Sequence, residues 1–162
     1  MTTQEPHFAT ATHDAGVLHA TEVYERRLAA ELRSVWSAWT DPERKRRWFA
    51  PTAKAYDLDV RPGGTERLLA DVEGAEVEFS VIYLDVVEGR RLIWSSQLRS
   101  GGRLATAALT TVLLEPFAGG TTLSLTEHAT FLDGMEAPEW RKQGTADWLD
   151  ALVGHIQLDT PS

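Results

Sequence analysis

The chain has 162 residues, no cysteine, and 16 basic against 24 acidic side chains for a net charge of −8. That length is one domain with a sizeable core, and the negative balance repels phosphate backbones and anionic lipid, so neither nucleic acid nor a membrane is expected as a partner. Without cysteine there are no disulfides, thiolate catalysis or Cys-ligated metals; with no basic, apolar leader and no run of about 18 apolar residues, the expected compartment is the cytoplasm.

Residues 1–17 are polar, rich in Thr and Ala and without a period, and are expected to form a disordered or loosely packed leader. His7 and His13 within it match no compact metal spacing. Residues 19–28 place Val23, Tyr24 and Leu28 among polar neighbours, a first strand. The period then changes. Leu32, Val35, Trp36 and Trp39 follow i, i+3, i+4, i+7, a helix with one buried face. Asp41 as N-cap and Pro42 at the first helical position start a second short helix, which runs to Trp48 and Phe49 before Pro51 ends it. The basic run Arg44-Lys45-Arg46-Arg47 lies in that helix and reads first as a solvated face, with a docking patch for an acidic partner as the alternative.

Beyond Pro51 the punctuation is Pro62-Gly63-Gly64, Glu73-Gly74, Glu88-Gly89, Gly101-Gly102 and Gly119-Gly120. These turn signals separate the strand-length segments 56–61, 65–72, 76–87, 90–99, 103–117 and 121–131, an antiparallel meander. Val77, Phe79, Val81 and Tyr83 share one face of their strand, Leu92 and Trp94 one face of the next, and Leu123, Leu125, Ala129 and Phe131 one face of the last. The stretch 137–158 is an amphipathic helix whose stripe is Arg141, Thr145, Trp148, Leu149, Leu152 and Ile156. Pro138 suits its first turn, and Glu136 and Glu139 suit the positive end of its dipole.

Together these elements predict an α+β fold: a curved antiparallel sheet of six to seven strands wrapped round a long C-terminal helix, with two short helices after strand 1. The expected division is a single domain over 18–158 and a tail at 159–162. A cavity is expected between the apolar sheet face and the helix. Glu127 continues the inward parity of Leu123 and Leu125, and Arg141 on the helix is its possible counter-charge; Glu66 and Thr145 are candidates for the same polar patch. Trp48, Tyr83, Trp94 and Trp148 are core or cavity wall, with Phe79, Val81, Leu125, Leu149 and Leu152 completing the candidate lining. His128 and His155 read as surface or rim residues. No metalloprotease helix motif, nucleophile elbow or phosphate-binding glycine loop occurs, so no metal, nucleotide or other cofactor site is expected and no catalytic residue is named.

Several stretches resemble a known family. Val35-Trp36-Ser37-Ala38-Trp39-Thr40-Asp41-Pro42-Glu43, Arg47-Trp48-Phe49-Ala50-Pro51, Asp57-Leu58-Asp59-Val60-Arg61-Pro62-Gly63-Gly64, Gly119-Gly120-Thr121-Thr122-Leu123 and the helix from Gly144 to Leu152 are similar, in the same order, to the activator-of-Hsp90-ATPase-homologue (AHSA1-like) group of the START/Bet v 1 superfamily. The resemblance covers about residues 19–156 and implies the helix-grip fold, but no single reaction. Two departures stand out. Many relatives have Gly-Trp-Ser where this chain has Gly144-Thr145-Ala146, a loss of bulk expected to open or reshape the pocket, and Glu66 stands where relatives often carry Trp.

Three functions follow, in order of expectation. The first is a binding protein for a hydrophobic or aromatic small molecule. The second is a co-chaperone or other protein-binding module of the Hsp90-activator type, ranked lower because residues 1–17 are too short for the chaperone-binding domain of the eukaryotic activators. The third is a cyclase- or hydrolase-like enzyme on an aromatic or polyketide-like substrate, ranked last for want of a nucleophile, metal or paired base. A homodimer through a free sheet edge is also expected.

Overall fold

The computed structural model describes residues 15–159. The elements in chain order are β1 (Val17–Leu28), α1 (Leu32–Thr40), α2 (Pro42–Phe49), β2 (Ala55–Leu58), β3 (Thr65–Val72), β4 (Ala75–Val87), β5 (Arg91–Ser100), β6 (Arg103–Phe117), β7 (Gly120–Leu132) and α3 (Pro138–Asp159). Seven strands form one antiparallel sheet in the order β1-β7-β6-β5-β4-β3-β2, with α1 and α2 inserted between its two edge strands. This is the helix-grip arrangement. No helix among the described residues is long and apolar enough to cross a membrane.

Two boundaries differ from expectation. The leader expected over residues 1–17 lies outside the described residues as far as 14, while Val17 already pairs with Leu132 in β1. Residues 160–162 of the expected tail also lie outside them. The strand expected over 56–61 stops at Leu58, because the next residues fold into a turn in which Asp59 N–H bonds Thr65 O and Gly64 N–H bonds Arg61 O. A Cβ on Gly64 would lie 2.1 Å from Asp59 O, so the second glycine of the pair is required by close approach. The turn is stitched to β4: Gly63 N–H donates to Tyr83 O, and Tyr83 N–H donates to Gly64 O. It therefore sets the register that brings Glu66 opposite Val81 and beside Tyr83.

Period-2 alternation sends Glu66 and Leu68 of β3, Phe79, Val81 and Tyr83 of β4, Trp94 of β5, Thr110 and Val112 of β6, and Leu125 and Glu127 of β7 to the helix side. Register shifts in β4 between Tyr83 and Asp85, and in β5 between Leu98 and Arg99, mark irregularities of the kind that curve a sheet. Two short helices complete the cover. Asp41 caps α2 by accepting from Arg44 N–H at 3.0 Å, and Trp48 anchors α2 to α1 by donating its indole N–H to Ala38 O at 2.9 Å. Trp39, Trp48, Trp94 and Trp148 form one aromatic cluster, with Trp39 and Trp48 edge-to-face at 4.9 Å between centroids. Leu149, Leu152 and Ile156 of α3 are buried against the same core.

Candidate functional site

A cavity of about 300 Å³ lies between the sheet and α3, reached from the side of the β3–β4 hairpin and the first turns of the helix. Its apolar wall includes Phe49, Leu68, Val77, Phe79, Trp94, Leu98 and Trp148. Val72 and Trp140, two of the most exposed large apolar side chains, also line it at the mouth. Two buried charge clusters are built into the same wall.

The first cluster belongs to α3 and its sheet partners. Arg141 grips Glu127 through two parallel hydrogen bonds, Nε to Oε1 at 2.7 Å and Nη2 to Oε2 at 3.2 Å, and gives Nη1 to Glu136 Oε1 at 3.0 Å. Thr110, directly opposite Glu127 on the neighbouring strand, donates to Glu127 Oε2 at 3.3 Å, and Thr106 donates to Glu136 Oε1 at 2.6 Å. Arg141 and Glu127 are each 11% exposed at the side chain. Burial pulls the guanidinium down, but the bonds and charges of Glu127 and Glu136 outweigh it and leave Arg141 above its ordinary value. One turn along α3, Thr145 favours the ionised phenol of Tyr24 of β1, but burial first and then the nearby charge of Glu127 outweigh it and push Tyr24 up to about 12.

The second cluster is centred on Glu66. Its Oε1 accepts from Lys45 Nζ at 2.8 Å and from Tyr83 OH at 2.8 Å, while its Oε2 accepts from Tyr56 OH at 2.5 Å. Lys45 Nζ also reaches Tyr83 OH at 3.4 Å and lies over the rings of Phe49, Trp39 and Trp94 at 4.8, 5.2 and 5.6 Å. Lys45 and Glu66 are each 1% exposed. Burial holds the Lys45 ammonium below its ordinary value despite the Glu66 charge, and burial with that same charge pushes Tyr56 and Tyr83 up. The indole N–H of Trp39, whose ring lines the cavity, has no acceptor among the described residues.

Seven of the thirteen residues singled out from the sequence line this cavity: Glu66, Phe79, Trp94, Glu127, Arg141, Thr145 and Trp148. Trp48, Val81, Tyr83, Leu125, Leu149 and Leu152 are buried instead in the packed core beside it, since period and parity identify the inward side without saying where that side is filled. Glu66 does not join Glu127 and Arg141 in one patch, because Lys45 claims it. That overturns the reading of residues 44–47 as a solvated face: Lys45 points inward, while Arg46 and Arg47 are exposed. Lys45 lies three residues before Trp48, on the same face of α2, and this spacing was the available signal. Among the described residues no group of three or more acidic or His side chains is placed to hold a metal ion.

Residues 29–157, most of the chain, match the family described as Activator of Hsp90 ATPase homolog 1-like protein. The chain belongs to this family. Among solved structures, a protein from Rhizobium leguminosarum described as uncharacterised is 40% identical, over 88% of this chain and 97% of that one, with a TM-score of 0.85. A Rhizobium loti protein is 33% identical over 86% and 98% of the two chains, with a TM-score of 0.81. Comparison with curated proteins finds no match. Membership of the Hsp90-activator-like family points to a ligand-binding or activator-like module and specifies no ligand.

Proposed function

We propose that this chain binds a small, flat, apolar molecule carrying at least one hydrogen-bond acceptor in the cavity between the sheet and α3. The observation that carries the reading is the cavity itself, about 300 Å³ of space walled by aromatic rings with fixed polar groups at its margin. That volume is at the lower end for ligand sites, so the ligand is one or two fused rings in size. Burying such a body removes on the order of 150–250 Å² of apolar surface, about 4–6 kcal/mol at 25 cal/mol per Å². Alone, this corresponds to millimolar to tens-of-micromolar affinity, so tight binding requires the polar margin as well. The Trp39 N–H supports the same reading, as a buried donor for which a ligand oxygen is a suitable acceptor.

The test is a thermal-shift screen of aromatic and lipid-like compounds alongside native mass spectrometry of the freshly purified chain. The expected result is a co-purified mass or a saturable rise in Tm, lost in Thr145→Trp, which puts an indole into the cavity, and weakened in Trp94→Ala. A bare mass and no shift across the screen would overturn the reading. In that case sedimentation with an Hsp90-type ATPase tests the protein-binding alternative that the family description suggests.

A further inference from the structure

We infer that Lys45 is a nucleophilic amine that condenses with an aldehyde or ketone group of the bound molecule, with Glu66 handling the proton. The inference rests on the cavity reading above and names the chemical class of its ligand.

The chain has three lysines, Lys45, Lys54 and Lys142. Lys54 is half-exposed and paired with Asp71 and Glu76, and Lys142 is an exposed partner of Glu22. Lys45 alone of the three is buried, and it lines the cavity. As pure scaffolding it is a poor choice, since a buried ion pair is commonly replaceable by apolar side chains of similar volume without loss of stability. Burial lowers its proton affinity against the opposing charge of Glu66, and that carboxylate lies at 2.8 Å as a proton acceptor.

Passing a proton from Lys45 to Glu66 converts an ion pair into an amine and a carboxylic acid without changing the net charge of the site. The Lys45 lone pair then forms a C–N bond to the carbonyl carbon, and the C=O π pair moves to oxygen, which takes the proton from Glu66. The new ammonium gives one proton back to Glu66. That proton goes to the hydroxyl, which leaves as water while the nitrogen lone pair closes the C=N bond. The product is a protonated imine with the Glu66 carboxylate as its counter-ion, and no oxidant or reductant is consumed. Tyr83 donates to Glu66 and lies within reach of Lys45, and Tyr56 holds the second carboxylate oxygen, so the acceptor is fixed in place.

The test incubates the full chain with 2-naphthaldehyde and sodium cyanoborohydride at neutral pH, with 2-naphthalenemethanol as the analogue that binds but cannot condense. The expected result is one reduced adduct, mapped by chymotryptic peptides to Lys45, forming faster than at Lys54 or Lys142, because a lowered pKa raises the free-amine fraction at neutral pH. Excess alcohol should suppress it. Lys45→Arg keeps the buried cation and should give no adduct at that position. Glu66→Gln should slow labelling by removing the proton acceptor and, because the Glu66 charge is what holds the Lys45 ammonium up, shift its pH profile downward. A thermal shift with the alcohol, together with labelling absent from Lys45 or spread evenly over Lys54 and Lys142, overturns the inference and leaves the cavity reading standing. No shift with either compound and no adduct at Lys45 overturns both.

Discussion

Lys45 and Glu66 are 21 residues apart in the chain and 2.8 Å apart in the fold, and both side chains are withdrawn from solvent. The contact ties the middle of α2 to the start of β3, so one buried pair positions the inserted helices against the strand next to the sheet edge. Two tyrosines complete the satisfaction of the carboxylate. Removing one partner strands a charge that the remaining groups cannot neutralise.

Lys45→Met should therefore cost about 3–5 kcal/mol, the usual cost of breaking a buried pair from one side. Adding Glu66→Gln in that background should recover most of the loss, because the amide carries no charge, its oxygen accepts from one tyrosine and its NH2 donates to the phenol oxygen of the other. Urea unfolding of the two single variants and the double variant measures the coupling. Strict additivity of the two losses would contradict the pairing.

Arg141 makes the second such link, from α3 to β7. Arg141→Lys keeps the charge but cannot reproduce two parallel bonds to Glu127 while holding Glu136. The expected loss is about 1–3 kcal/mol in denaturant unfolding, with Arg141→Met more damaging. If the two variants were equally stable to wild type, the bidentate geometry would carry no weight.

The chain has three tyrosines, Tyr24, Tyr56 and Tyr83, and all three are held above the ordinary value of 10.0, first by burial. A group raised in the native state contributes stability that is fully present below the unfolded pKa and lost as the pH climbs through the native one. For Tyr24 that window runs from 10.0 to about 12. Tyrosinate absorbance should stay low in the folded protein near pH 10 and then appear together with loss of secondary structure. Normal ionisation of one or more phenols near pH 10 with the fold intact would contradict their burial.

Lys45 acts in the opposite sense. Its native pKa is lowered, so the unfolded chain binds more protons and stability from this group increases as the pH rises from the lowered value toward 10.5. The difference in unfolding free energy between wild type and Lys45→Met should grow with pH in that interval, until tyrosine ionisation takes over. A pH-independent difference would count against a depressed ammonium.

Gly144 lies in α3 at the cavity wall, and a Cβ built there meets nothing within 4 Å. Gly144→Ala should stabilise the fold by about 0.5–1 kcal/mol, since Ala is the better helix former and no clash opposes it. Thermal unfolding measures the gain. A loss of stability would mean that the first turns of α3 need the glycine's freedom.

Much of this was legible from residue order. The strands follow from paired turn glycines and period-2 alternation, and α3 from the stripe of Leu149, Leu152 and Ile156, because these are local steric and burial rules. Parity also pointed Glu127 inward and periodicity put Arg141 on the facing stripe, although neither gives a distance. Lys45 was the residue most at odds with its neighbours: set in a run of four cations, its composition suggested water. Only Trp48, three residues further on the same face of α2, carried the contrary signal.

By itself, then, the sequence determined the element order, the inward faces and the family, since each depends on contacts within a few residues or on motifs kept in order. The tertiary structure decided which charges meet. Glu66 pairs with Lys45 and Glu127 with Arg141 because the turn at Gly63 and Gly64 sets one register and the entry of α3 at Pro138 sets another. It also decided where the inward side is filled, by Tyr83 and Leu125, and where it is open, beside Trp94 and Thr145. Packing of side chains distant in the chain governs both outcomes, and no local pattern encodes it.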